Sequence, residues 1–227
     1  MAVVINGTTG ITSPPTIALD AGTTTAAPLD FTAGTNLTTP SSGAVEYDGV
    51  NFYGTIDTVS GRGALPVYQI FRLAANGSAI GATIADYFGA TSSITMAIGG
   101  VYEVEFNLYF TKTTAGTVTF TLTSAQAPVN LNAFYVGTPV GGVGTVGTAQ
   151  TAALVASTST AAALPVTGSL TNGVNHQYVI KAIVEANATT AGTFKLQATE
   201  SAGTITPLRG SYYKVTRLAA GNVGTWA

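Results

Sequence analysis

The sequence predicts an all-β protein, an antiparallel sandwich or barrel, and three observations carry that prediction. From Gly61 onward apolar and polar residues alternate with a period of two. The turns between these runs are rich in glycine, and no run has the spacing of a long helix. The composition adds a second feature: 46% of the 227 residues are hydrophobic but only 8% are charged, against about 25% charged in an average soluble domain. Solubility then falls to Thr, Ser, Asn and Gly. A surface of this kind has little charge to repel other protein. Burial against sister subunits or a larger assembly is one natural reading, and an ordinary low-charge β-protein is the other.

Residues 1–42 come first and read as an extended arm. Their apolar pieces are short (Val3–Ile5, Ile17–Leu19, Leu29–Phe31), and Pro14, Pro15, Pro28 and Pro40 forbid a continuous helix. Alone, this stretch buries too little surface to offset its ordering entropy, so something outside it must hold it.

Residues 43–60 read as a β-hairpin collar. Val45 and Tyr47 rise to Asp48-Gly49, a pair suited to the positive φ of a tight turn, and Val50, Phe52 and Tyr53 return. A two-stranded hairpin is marginal in water, so these aromatics need a partner surface.

Residues 61–227 read as the head. In VYEVEFNLYF (101–110), Tyr102, Val104, Phe106, Leu108 and Phe110 share one face, with Glu103, Glu105, Asn107 and Tyr109 on the other. TVTFTLT (117–123), QYVIKAIVEA (177–186), TFKLQATE (193–200) and YYKVTRL (212–218) continue the alternation. Helix is admitted only near Ala149–Ala156. YQIFRLAANG (68–77) and YYKVTRLAAGN (212–222) echo each other, as adjacent first and last strands of a jelly roll often do; chance similarity in an Ala-rich chain is the rival explanation.

Charge excludes some functions. A formal net charge of −2 offers no basic face for nucleic acid. Residues 1–60 hold Asp20, Asp30, Glu46, Asp48 and Asp57 without a Lys or Arg, whereas all 8 basic residues follow later. The chain is acidic in front and mildly basic behind. Absence of Cys rules out disulfides and thiolate metal sites. MAVVINGTTG lacks the pattern of a secretory signal, and no apolar run approaches the ~18–20 residues that span a bilayer. Synthesis in the cytoplasm and no membrane partner are expected.

Catalytic candidates are few. Glu103 and Glu105 share a strand face, and glycosidases need two carboxyls ~5–10 Å apart, but such pairs come from different elements lining a cleft. A sheet exterior, or contact with Lys or Arg of a neighbouring chain, is the better reading. His176, the single histidine, follows Asn172-Gly173 at the entry to a strand, where a turn residue is expected, and no Gly-x-Ser-x-Gly elbow supplies it with a nucleophile. Gly142-Val-Gly144-Thr-Val-Gly147 fits a dinucleotide pattern, but no helix follows and the next acid is Glu185. No catalytic, cofactor or metal site is predicted.

Several phrases carry a resemblance. VVINGTTGI (3–11), APLDFTAGTNLTTPSSGAVEYDGVNFYGT (27–55), GRGALP (61–66) and LRGSYYKVTRL (208–218) resemble segments of bacteriophage fibre and virion-associated proteins, over about a third of the chain. GGVYEVEFNLYF (99–110) is similar to the central strand of the trimeric jelly rolls of complement-type heads and tumour-necrosis-factor-like domains. These resemblances imply a homotrimeric virion structural protein, made in the bacterial host. The arm would anchor it to the particle, and Val45, Tyr47, Phe52 and Tyr53 would staple three chains together.

With no long shaft between residues 60 and 227, a capsid decoration or cement protein bound to the major capsid protein is the leading reading. A short tail fibre or adaptor on a tail protein follows close behind. A carbohydrate-binding head is a separate reading, with Tyr87, Phe88 or Tyr135 exposed near loops to stack on host-surface glycans. A glycosidase using Glu103 and Glu105 is the third.

Overall fold

The computed structural model describes residues 19–57, 59, 61–138, 154–166, 170 and 172–218, and among them there is no helix. All ladders between the strands are antiparallel. Leu154–Ser157 is a strand, which corrects the helix admitted there; residues 149–153 and the glycine pattern at 142–147 lie outside the described residues.

Three strands, β1 (Val45–Tyr47), β2 (Phe52–Thr55) and β3 (Arg62–Leu65), make a small sheet of their own. The hairpin turns at Gly49-Val50: Asp48 N–H donates to Asn51 O at 3.3 Å, and Gly49 takes a φ of 92° while Val50 does not share a positive φ. Glycine at the first of two loop positions is the primed turn that matches strand twist. The collar is wider than the sequence predicts. Leu65 lies opposite Phe52, extending the Tyr47–Phe52 row, so Arg62–Leu65 belongs to the collar and not to the head. Pro66, lacking an N–H, follows directly.

The remaining strands form two sheets. β4 (Tyr68–Arg72), β7 (Val101–Lys112), β9 (Asn130–Thr138), β10 (Leu154–Ser157), β12 (Asn175–Glu185) and β15 (Tyr212–Arg217) make the larger one, ordered β10-β9-β12-β7-β15-β4, with β14 (Ile205–Pro207) also on β7. β5 (Ala85–Asp86), β8 (Val118–Ser124), β11 (Ala161–Pro165) and β13 (Gly192–Glu200) give the smaller, ordered β11-β8-β13-β5, with β6 (Ile94–Met96) on β13. The two sheets pack as a β-sandwich. The echoing segments are neighbours: Tyr212–Thr216 pairs with Tyr68–Arg72.

Burial follows the predicted alternation. Val104, Phe106, Leu108 and Phe110 of β7 are fully buried, facing Phe120, Leu122, Phe194 and Leu196 of the smaller sheet in one core. Phe120 stands edge-on to Phe110 with ring centroids 5.9 Å apart, a favoured aromatic geometry. At the Lys112 end of the sandwich, Lys112 from one sheet and Glu200 from the other form an ion pair whose side chains are 0% exposed. Glu200 Oε1 also accepts the Ala202 N–H at 3.1 Å. A buried pair survives only when such partners offset its desolvation.

Candidate interaction surfaces

Residues singled out for sugar stacking are core residues. Tyr87, Phe88 and Tyr135 are buried, against the expectation of exposed aromatics. Tyr87 packs against Phe88 and Phe120 and donates its hydroxyl to Tyr109 O at 2.8 Å; burial pushes its phenol pKa up. Phe88 meets Phe71, Phe106 and Tyr213, and Tyr135 donates to Pro165 O at 2.9 Å. Alternation could not foresee this at Tyr87 and Phe88, since both adjacent rings enter the core after a two-residue strand.

The acidic pair faces outward from the larger sheet. Register puts Glu105 between Lys181 of β12 and Lys214 of β15, whose Nζ atoms lie 3.5 and 3.4 Å from Glu105 Oε2, while Asn107 Nδ2 donates to Oε1 at 2.9 Å. The Asn107 bond, with the two ammonium groups behind it, holds the Glu105 carboxyl below its usual range. The lysines that meet Glu105 belong to its own chain, not to a neighbour. Glu103 is exposed beside Ile183 and Thr216. This is a cross-strand ladder on an open face, with no cleft for a sugar ring between two acids. His176 lies at the entry to a strand, as the second residue of β12, but it is buried and stacked on Phe110 at 5.3 Å instead of standing in the turn. Among the described residues, no group of three or more His, Cys, Asp or Glu could hold a metal.

The collar is a more distinctive site. On one side Glu46, Tyr53, Thr55, Arg62 and Ala64 share a face by register. Arg62 Nε donates to Glu46 Oε2 at 2.8 Å, and its terminal nitrogen donates to Glu46 Oε1 at 3.2 Å and to the Leu37 carbonyl at 2.6 Å. Leu37 N–H in turn donates to Glu46 Oε1 at 2.6 Å. This planar fork is the geometry at which Arg excels, and here it ties residue 37 of the preceding segment onto the sheet. Gly34 N–H also donates to Tyr47 O at 3.0 Å. Arg62 and the Leu37 amide hold the Glu46 carboxyl below its usual range; amides of Asn51 and Val50, with the Tyr53 hydroxyl, do the same for Asp48.

The other collar face carries Tyr47 stacked on Phe52 at 4.5 Å, with Phe31 edge-on to Phe52 at 5.7 Å. Of the four residues expected to staple chains, Val45 is exposed and Tyr47 and Phe52 are half-buried. Tyr53 is buried within its own chain, its hydroxyl donating to Asp48 Oδ2 at 2.8 Å. Leu19, Leu29, Leu37, Val50, Ile56, Val59, Leu65 and Val67 add exposed apolar surface in and around the collar. A groove of about 400 Å³ separates collar from head, walled by Tyr47, Phe52 and Leu65 on one side and Tyr102, Val215 and Leu218 on the other.

No protein-family model and no curated protein matches the chain. Two solved structures resemble it distantly, both of infectious bursal disease virus. The Gx strain structure is 13% identical over 70% of this chain and 40% of that one, with a TM-score of 0.18. The Gt strain structure is 12% identical over 78% and 52%, with the same TM-score of 0.18. Likeness of that size establishes no shared role.

Proposed function

We propose that this protein is a non-enzymatic virion structural protein of a bacteriophage, a homotrimeric capsid decoration or cement protein that binds the particle through its N-terminal arm. One observation carries the reading. The sheet of three short strands holds its preceding segment by an Arg-carboxylate fork and leaves apolar side chains from Leu19 to Val67 in solvent. Exposed apolar surface of this extent marks a place where other protein docks. Sister collars would cover Val45, Tyr47 and Phe52, and the major capsid protein would cover the arm.

The head fits the same reading. With β5 and β6 taken as one strand, β4-β15-β7-β12 opposes β5/β6-β13-β8-β11. That order supports a jelly roll, with β9 and β10 as an insertion widening the larger sheet. Glu105, taken up by two lysines and an asparagine, is not poised for acid–base work.

The groove favours a second reading, a short tail fibre or adaptor with a receptor-binding head. Tyr47 and Phe52 beside Asn51, Gln69 and Arg217 combine stacking surface with hydrogen-bonding groups, as a glycan site requires.

Immunogold or nanobody labelling of intact particles decides between them. Label at regular lattice points over the shell supports the decoration protein. Label confined to the tail rejects it in favour of the fibre. Absence of label from particles rejects both.

A further inference from the structure

Among the described residues no element covers the outward face of the larger sheet, and its side chains are arranged in a definite order. Register sets them in rows across the strands. One row reads Arg72, Tyr212, Asn107, Val179, Val136. The next reads Ile70, Lys214, Glu105, Lys181, Phe134, and a third reads Tyr68, Thr216, Glu103, Ile183, Asn132. Apolar residues stand on both sides of a charged stripe: Ile70 is 67% exposed and Tyr68 54% on the edge strand β4, while Val136 is 56%, Phe134 41% and Ile183 40% exposed on β9 and β12, inside the other edge strand, β10. Lys214, Glu103, Glu105 and Lys181 lie between, on β15, β7 and β12. Arg72, Lys181 and Lys214 balance Glu103, Glu105 and Glu185, so the face has no net charge.

We infer that this face is the contact between heads of three copies, the β4 edge of one meeting the apolar patch on β9 and β12 of the next. The inference rests on the homotrimer reading and adds which surface closes it. Two arguments identify a second copy as the occupant. A face that is neutral and of mixed sign does not repel its own kind, and it gives no attraction to a polyanion or a strongly charged partner. Its two apolar patches lie on opposite sides of the charged stripe, which suits a head-to-tail contact that closes a ring.

Geometry then favours three over two. Sheets stacked face to face lie ~10 Å apart, so a two-fold pair would press charged stripe on charged stripe and desolvate both. A ring of three, in which β4 of each copy meets β9 and β12 of the next, turns the charged stripes toward the axis instead of onto one another.

The chain has no cysteine, which makes cross-linking clean. Ile70→Cys/Phe134→Cys protein, treated with a short bismaleimide, should give covalent trimers, and Ile70→Cys alone should give only monomer on a denaturing gel. Ile70→Asp/Phe134→Asp should lower the trimer fraction at micromolar concentration at least tenfold by native mass spectrometry. Both side chains lie outside the core, and an unchanged thermal midpoint in the monomeric fraction would show that the head still folds. A wild-type trimer that survives the Asp pair, or dimers from Ile70→Cys alone, would overturn the face assignment and leave the trimer reading intact. A wild-type monomer would overturn both.

Discussion

Arg62 reaches back from β3 to Glu46 on β1, Nε to Oε2 at 2.8 Å, and the same two side chains grip both backbone polar groups of Leu37, its N–H and its carbonyl. A chain with so few charges therefore spends one ion pair on fastening a loosely built segment. Arg62 also lies over the Tyr53 ring, 5.9 Å from its centroid.

Replacing Arg62 with Met should free the Leu37 region without unfolding the head, because the fork touches no residue of the sandwich core. Limited proteolysis should cut within residues 19–42 several-fold faster in Arg62→Met than in the parent, with head fragments equally resistant. Equal cutting rates would show that the fork does not hold the segment.

Acid should loosen the collar before the head. Glu46 and Asp48 titrate below their ordinary values of 4.5 and 3.8 in the folded chain, so the folded state binds fewer protons than the unfolded. Their contribution is complete above those ordinary values and is lost as the pH falls through the lower folded ones. Fluorescence of the collar tyrosines, or proteolysis within residues 19–42, should report the change as the pH falls below 4.5. Glu46→Gln should flatten the response, and an unaltered profile in that variant would refute the assignment.

The Lys112–Glu200 pair should show strong coupling. Both side chains are 0% exposed, so removing one partner strands a buried charge and should cost ~3–5 kcal/mol, whereas replacing both by apolar residues of similar volume should be close to neutral. Chemical denaturation of Lys112→Met, Glu200→Leu and the double variant forms the cycle. Additive losses would contradict the pairing.

Tyr87→Ala should destabilise the head by ~3–5 kcal/mol, the range for deleting a buried aromatic, whatever ligand is present. Its ring is 1% exposed among Phe88, Phe120 and neighbours. A folded, fully stable Tyr87→Ala protein would restore the surface role that burial removes.

How much of this was legible in the chain depended on the range of the signal. Alternation along residues 101–110 reports burial residue by residue, since one face of a sheet strand meets the core and the other meets water. The pairing of Tyr68–Arg72 with Tyr212–Thr216 showed through their shared Arg-Leu-Ala-Ala. Arg62–Leu65, by contrast, has no alternation of its own; it becomes a strand because Leu65 completes a row begun by Tyr47 and Phe52. Glu105 was readable as an outward carboxylate, but its two lysines come from strands 76 and 109 residues later in the chain. Such partners follow from strand order, which alternation does not encode.

The pairing of Leu218 N–H with Val101 O at 2.8 Å brings the end of the last strand back beside the collar groove. For anyone wishing to mount foreign peptides on this molecule, that return path sets the choice of attachment point. Cargo appended just past Leu218 would crowd the base. The turns around Thr113 and Gly173, at the opposite pole by Lys112, would hold it clear of the collar.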